Sequence, residues 1–258
     1  MITPIAYRKT LEGKSNAHLI SFSDGHDYVV KFFQPGFERS LPNEWVGYCL
    51  ARYLGLPIPF ARLVEIPPEF IAQVPELKVM HHTQFQFASL YVPDCTDGHQ
   101  TPSNYSISNH QSLAGVILLD YWLCNRDRTR KNIVLCEGDQ GKYQLWIIDH
   151  AEIFGAYNWC ASDLDNLSEQ LLKSATHGIM ATNIESEDSF TDYLDLIQTI
   201  PIFLIEEVVS MIPEDWMVTK EEKKAMVSAL VTRRKSILPH LLQRFLKKVY
   251  HPLHEKNL

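Results

Sequence analysis

The residues able to do chemistry stand in a telling order. In "NRDRTRKN", Asp127 and Asn132 have D-x-x-x-x-N spacing, and the apolar run in "YQLWIIDHAEIFG" ends in Asp149. A carboxylate can accept or orient the proton of an attacking hydroxyl, while an amide oxygen and a second carboxylate hold magnesium on nucleotide phosphates. Three such oxygen donors on adjacent loops could converge on one metal-phosphate cluster. Alone, the spacing is weak, since it occurs by chance in many chains, and a polar turn between a helix and a strand is the better reading of it. Upstream, "YVVKFF" sets Lys31 inside an apolar strand, where a charge is costly unless paired or snorkelling at a strand edge. Glu44 falls on the next expected helix, and a strand lysine paired with a helix glutamate positions phosphates in kinases. The four features together favour a catalytic loop over a turn.

Elements must exist to carry these residues. "PIAYRKTL", "AHLISF" and "YVVKFF", separated by the turn-like "EGKSN" and "SDGHD", read as a three-strand meander. "SLPNEWVGYCLARYLGL" has helical apolar spacing with Gly55 as its stop. "IPFARLVEI" and "LKVMHHTQFQFASLYV" read as further strands, and "VPDCTDGHQTPSNYSISN" as a polar connector. Helices are then expected in "HQSLAGVILLDYWLCN", "SDLDNLSEQLLKSA", "SFTDYLDLIQTIPIFLIEEVVSMI" and "TKEEKKAMVSALVTRRKSILPHLLQRFLKKVY". The expected fold class is α+β and bilobal, with a small β-rich lobe over residues 1–90 and a larger, mostly helical lobe over 91–258.

Composition narrows the function. A chain of 258 residues, 45% hydrophobic, can bury a core large enough for two lobes. A net charge of −7 argues against nucleic acid or an anionic membrane as a partner held by bulk electrostatics. Five cysteines without a CxxC pair indicate neither a disulfide framework nor a zinc knuckle, and fit reduced thiols in a cytoplasmic protein. The N-terminus has no apolar signal core, and no run approaches the length of a membrane span.

"NRDRTRKNIVL" followed by "WIIDHAEIFG", with "VVKFF" and "NEWVGYCLARYLGLPIP" upstream, resembles the HipA-like family of bacterial kinases, which share the protein-kinase and phosphoinositide-kinase fold. The resemblance covers roughly residues 10–155. It implies that Lys31 contacts nucleotide phosphates, that Glu44 orients it, that Asp127 is the catalytic base, and that Asn132 and Asp149 bind magnesium. Family members often read D-R-H-x-x-N, whereas Thr129 stands at the histidine position here. ATP is expected between the lobes near residues 85–93, with Phe87 and Ser89 as contacts. Protein Ser/Thr is the acceptor that the resemblance favours, with a lipid or small-molecule alcohol as an alternative. A pseudokinase scaffold is the competing class, kept open by Thr129.

Other features have two readings each. "EGKS" is not a P-loop, because Arg8 stands where its first glycine belongs. As a turn it could lie over phosphates through Gly13, Ser15 and Asn16, or be a surface hairpin. Arg126, Arg128, Arg130 and Lys131 could bind phosphate or be solvated loop charge. His81 and His82 face opposite ways on a strand, which disfavours a shared metal. His150, directly after Asp149, is expected to be a local hydrogen-bonding group. The basic C-terminal segment is expected to pack on the large lobe rather than on a membrane or nucleic acid.

Overall fold

A computed structural model describes residues 2–100 and 106–255. The first three strands form as expected: β1 (Pro4–Thr10), β2 (His18–Phe22) and β3 (Asp27–Lys31). With β4 (Ala61–Val64) and β5 (Gln86–Leu90) they make an antiparallel sheet of order β1-β2-β3-β5-β4. β2 is buried throughout because it lies between β1 and β3, whereas the edge strand β1 stays largely exposed. The pairing sets Lys31 opposite Phe87 and Val29 opposite Ser89.

Helix α1 (Ser40–Tyr53) connects β3 to β4 and ends before Gly55, whose φ of +67° suits a residue without Cβ. The long strand expected in "LKVMHHTQFQFASLYV" is corrected to the short β5. Prolines at their N-termini start two small helices ahead of it, α2 (Pro68–Gln73) and α3 (Pro75–Lys78).

The polar connector is more ordered than expected. Its described part holds β6 (Cys95–Asp97) and β7 (Ser106–Ile107), while residues 101–105 lie outside the described residues. These strands flank β8 (Ile133–Glu137) and β9 (Lys142–Ile147) in a second sheet of order β6-β8-β9-β7. Cys95 and Cys136 are partners in the β6–β8 register and form a disulfide, which corrects the expectation of five reduced thiols.

Helix α4 (Leu113–Leu123) is buried on every side and forms the centre of the main core. Around it lie α5 (Ala161–Leu164), α6 (Ala175–Thr182), α7 (Asp188–Thr199) and α8 (Ile202–Ser210), then α9 (Lys220–Thr232), α10 (Leu238–Phe245) and α11 (His251–Glu255). The expected helix in "SDLDNLSEQLLKSA" shrinks to α5. Beyond it, the carbonyls of Ser168 and Glu169 accept bonds from Arg233 and Arg244 instead of closing helical turns. The expected helix over "SFTDYLDLIQTIPIFLIEEVVSMI" divides at Pro201, which offers no N–H and pushes Ile200 to ψ 124°. Arg233 donates to the carbonyls of Tyr121 and Trp122, satisfying the C-terminal end of α4. Leu238, Leu241, Leu242, Phe245 and Tyr250 are buried in the same core, so the basic C-terminal segment packs on the helical part. No helix among the described residues is long and apolar enough to cross a membrane.

Candidate active site

A cleft of about 630 Å³ is lined by both the first sheet and the second. Val29, Ala61, Phe87 and Ile147 give it apolar walls, and Lys31, Asp127, Asn132 and Asp149 supply a polar end. Gly13, Ser15, Glu44 and Ser89 also line it. Asn16 is the expected contact that does not: its side-chain amide turns to the Met80 sulfur at 3.4 Å. The loop carrying Gly13 is closed by Leu11 N–H donating to the Ala17 carbonyl at 2.8 Å, and Gly13 has φ +145°. A side chain there would be strained, which explains a glycine at this turn.

At the end of β3, the buried Lys31 ammonium donates to Glu44 and, at 2.9 Å, to Asp149 Oδ1. The snorkelling alternative for Lys31 is therefore excluded. Burial works against its charge, yet Asp149 and Glu44 outweigh that and raise its pKa. Burial pushes Glu44 up to about 7 even with Lys31 beside it. Burial also opposes charge on Asp149, whose side chain stays 31% exposed, but Lys31 holds it well below the usual carboxylate range.

Asp149 has φ +59°, a conformation unfavourable for a residue with a side chain. Its neighbours enforce it. His150 N–H donates to Glu44 Oε2 at 3.1 Å, and Asn43 Nδ2 donates to the carbonyls of Ala151, Ile153 and Ala156 at 2.7, 3.1 and 3.0 Å. Asn43 Oδ1 accepts from Trp159 Nε1 at 2.9 Å, so α1 grips the segment after Asp149 with the residue beside Glu44.

The segment between α4 and β8 carries the other pair. Asn132 Nδ2 donates to the Asp127 carbonyl and, at 2.9 Å, to Asp127 Oδ2. Thr129 N–H donates to the Asp127 carbonyl at 2.7 Å, so the residue at the histidine position helps close the loop through its backbone. Arg128 corrects the reading of a solvated or phosphate-binding cluster. It is buried and forks onto Asp120 of α4, with Nε at 3.0 Å and Nη2 at 3.2 Å from the two carboxylate oxygens. Burial opposes charge on Asp120, but Arg128 and His177 outweigh it and hold the carboxyl well below its usual range. Lys131 does line the cleft, as do Lys14 and Glu152. Partial burial and the Asp127 carboxylate raise the Glu152 pKa.

The donor chemistry fits a hard cation bound together with a nucleotide. Asn132 commits its amide nitrogen to Asp127, which leaves the amide oxygen able to ligate a cation. Asp149 supplies a carboxylate. Among the described residues no group of three or more His, Cys, Asp or Glu side chains could hold a metal. Magnesium is suited to such a site, because it takes much of its shell from phosphates and water.

Spacing did not single out Asn43, Asp120 or Glu152; Arg128 was expected to bind phosphate or be solvated, and His150, expected as a local hydrogen-bonding group, does bond Arg128 and Glu44. Asp120 had no visible signal within an apolar helix except that a lone buried carboxylate requires a partner.

Comparison with known proteins agrees with this fold. The chain superposes on the proinflammatory kinase CtkA of Helicobacter pylori with a TM-score of 0.61 at 14% identity, covering 93% of this chain and 95% of that one. It superposes on the Golgi casein kinase with Mn/ADP bound with a TM-score of 0.53 at 15% identity, covering 96% of this chain and 75% of that one. At such identities the likeness is one of fold. No curated protein matches the sequence. The family model described as HipA-like kinase matches residues 2–249, and the chain belongs to that family.

Proposed function

We propose that this chain is an ATP- and magnesium-dependent phosphotransferase moving the γ-phosphoryl group to a hydroxyl, with protein Ser or Thr as the acceptor. The observation that carries the reading is Lys31 bonded to both Glu44 and Asp149, in one cleft with the Asp127–Asn132 pair. In this reading residues 1–90 form the nucleotide-covering lobe and residues 91–258 the catalytic one. The apolar walls around Phe87 and Ser89 take the nucleobase, the turn at Gly13 and Ser15 covers the phosphates, and Lys31 binds phosphate oxygen while Glu44 orients it. Asn132 and Asp149 would hold magnesium, which neutralises phosphate charge when bound. Asp127 accepts the acceptor hydroxyl's proton as that oxygen bonds to phosphorus and the bond to the ADP oxygen breaks. The Mn and ADP in the Golgi casein kinase support a nucleotide and divalent cation here. The Cys95–Cys136 bridge weighs against the cytoplasmic location expected from the cysteine count, since cytosolic thiols are kept reduced.

The test is incubation with magnesium and γ-labelled ATP, alone and with cell lysate, for wild type and Asp127→Asn. Label should transfer with wild type and fall by roughly 10²- to 10⁴-fold in the variant, while ATP still raises its melting temperature. Equal turnover in both would remove Asp127 as the base. No turnover in either, with the thermal shift intact, would favour a scaffold.

A further inference from the structure

Arg128 follows Asp127 in sequence, yet its side chain enters the interior rather than the cleft. Asp120 receives its fork and is itself fixed by Asn125 Nδ2 at 2.7 Å and His177 Nε2 at 2.9 Å. The guanidinium then has donors left for other acceptors, and each of them belongs to a metal-ligand segment. Nη1 donates to the Asn132 carbonyl at 2.8 Å and to the Ile148 carbonyl at 2.7 Å. Nη2 lies 3.1 Å from His150 Nε2. A guanidinium can only donate, so this ring nitrogen accepts and Nδ1 carries the proton of the neutral imidazole. Through its backbone N–H, His150 in turn reaches Glu44 Oε2.

We propose that Arg128 is a positioning residue that holds Asn132 and Asp149 at one spacing for the metal, and that His150 extends this hold to Glu44. The inference rests on the phosphotransferase reading. Its physical basis is that one planar fork spans the loop at Asn132 and the residues on either side of Asp149, Ile148 and His150, whereas a lysine ammonium offers a single point of attachment. Groups that orient ligands in this way typically change metal affinity by roughly 10- to 100-fold when removed. A merely structural ion pair would instead change stability and leave metal dependence unmoved.

The experiment is a magnesium titration of ATP-dependent thermal stabilisation, followed by phosphoryl transfer, in wild type, Arg128→Lys, His150→Gln and His150→Leu, each checked for folding by circular dichroism. Arg128→Lys should raise the magnesium needed for half-maximal stabilisation by roughly 10- to 100-fold. His150→Gln keeps an acceptor oxygen and should stay near wild type, while His150→Leu should shift with Arg128→Lys. If Arg128→Lys does not fold, the contrast between His150→Gln and His150→Leu decides. Folded Arg128→Lys or His150→Leu with wild-type magnesium dependence overturns the positioning role alone. A folded wild type that Mg-ATP does not stabilise overturns the phosphotransferase reading, and this inference with it.

Discussion

A Cβ built on Gly47 would lie 2.6 Å from His150 Cβ and 2.7 Å from its Cγ. Helix α1 therefore approaches the residue after Asp149 so closely that glycine alone fits, one turn beyond Glu44. Alanine is the better helix former by about 1 kcal/mol, but here overpacking should win. Gly47→Ala is expected to destabilise the protein by about 1–3 kcal/mol, and to cut phosphoryl transfer by displacing Glu44. Urea midpoints and label transfer check this; a more stable, fully active variant would show that His150 yields.

Lys31→Met keeps much of the apolar stem and removes the charge that Glu44 and Asp149 share. Phosphoryl transfer should fall by roughly 10²- to 10³-fold, the usual effect of deleting one preorganised donor. Circular dichroism should remain that of the folded protein. Activity near wild type would leave the lysine a structural role only.

Asp120 gives a stability change with acid whose sign is fixed. Its folded pKa lies below the unfolded value, so its contribution is present above about pH 4 and is lost as pH falls through the folded pKa. Asp120→Asn leaves Arg128 buried without its anion and should cost about 3–5 kcal/mol at pH 7. The gap between wild type and variant in urea midpoint should narrow steadily below pH 4. A gap that stayed constant down to pH 2 would contradict the ion pair.

The Cys95–Cys136 disulfide joins residues 41 apart in sequence and ties β6 to the strand that begins beside Asn132. Chain entropy gives such a closure up to about 4 kcal/mol. Dithiothreitol should lower the wild-type melting temperature and leave Cys136→Ser unaffected. Thiol titration of the unfolded, unreduced chain should find Cys49, Cys124 and Cys160 only. Five titratable thiols would refute the bridge.

Local pattern was enough for much of the scaffold. The short apolar run of β2, the apolar spacing of α1 and the turn residues between the first strands each act over a few neighbours, so their preferences survive into the fold. The short strands β6 and β7 did not show, because each has too few residues to establish a period and forms only by pairing with β8 and β9. The segment after α5 misled for the reverse reason. Its leucines have helical spacing, but arginines from distant helices take its carbonyls.

Within the site, the sequence by itself determined the candidate chemistry: Lys31, Glu44, Asp127, Asn132 and Asp149 were legible because lone charges in apolar runs and D-x-x-x-x-N spacing are local features. Tertiary structure decided which charges face the cleft. Arg128 and Lys131 look alike in "RDRTRKN", yet one is buried against Asp120 and the other lines the cleft. That difference depends on a carboxylate in α4 and a carbonyl at the end of β9's run, groups brought together only when the helical core and the second sheet pack, and no spacing within the loop encodes it.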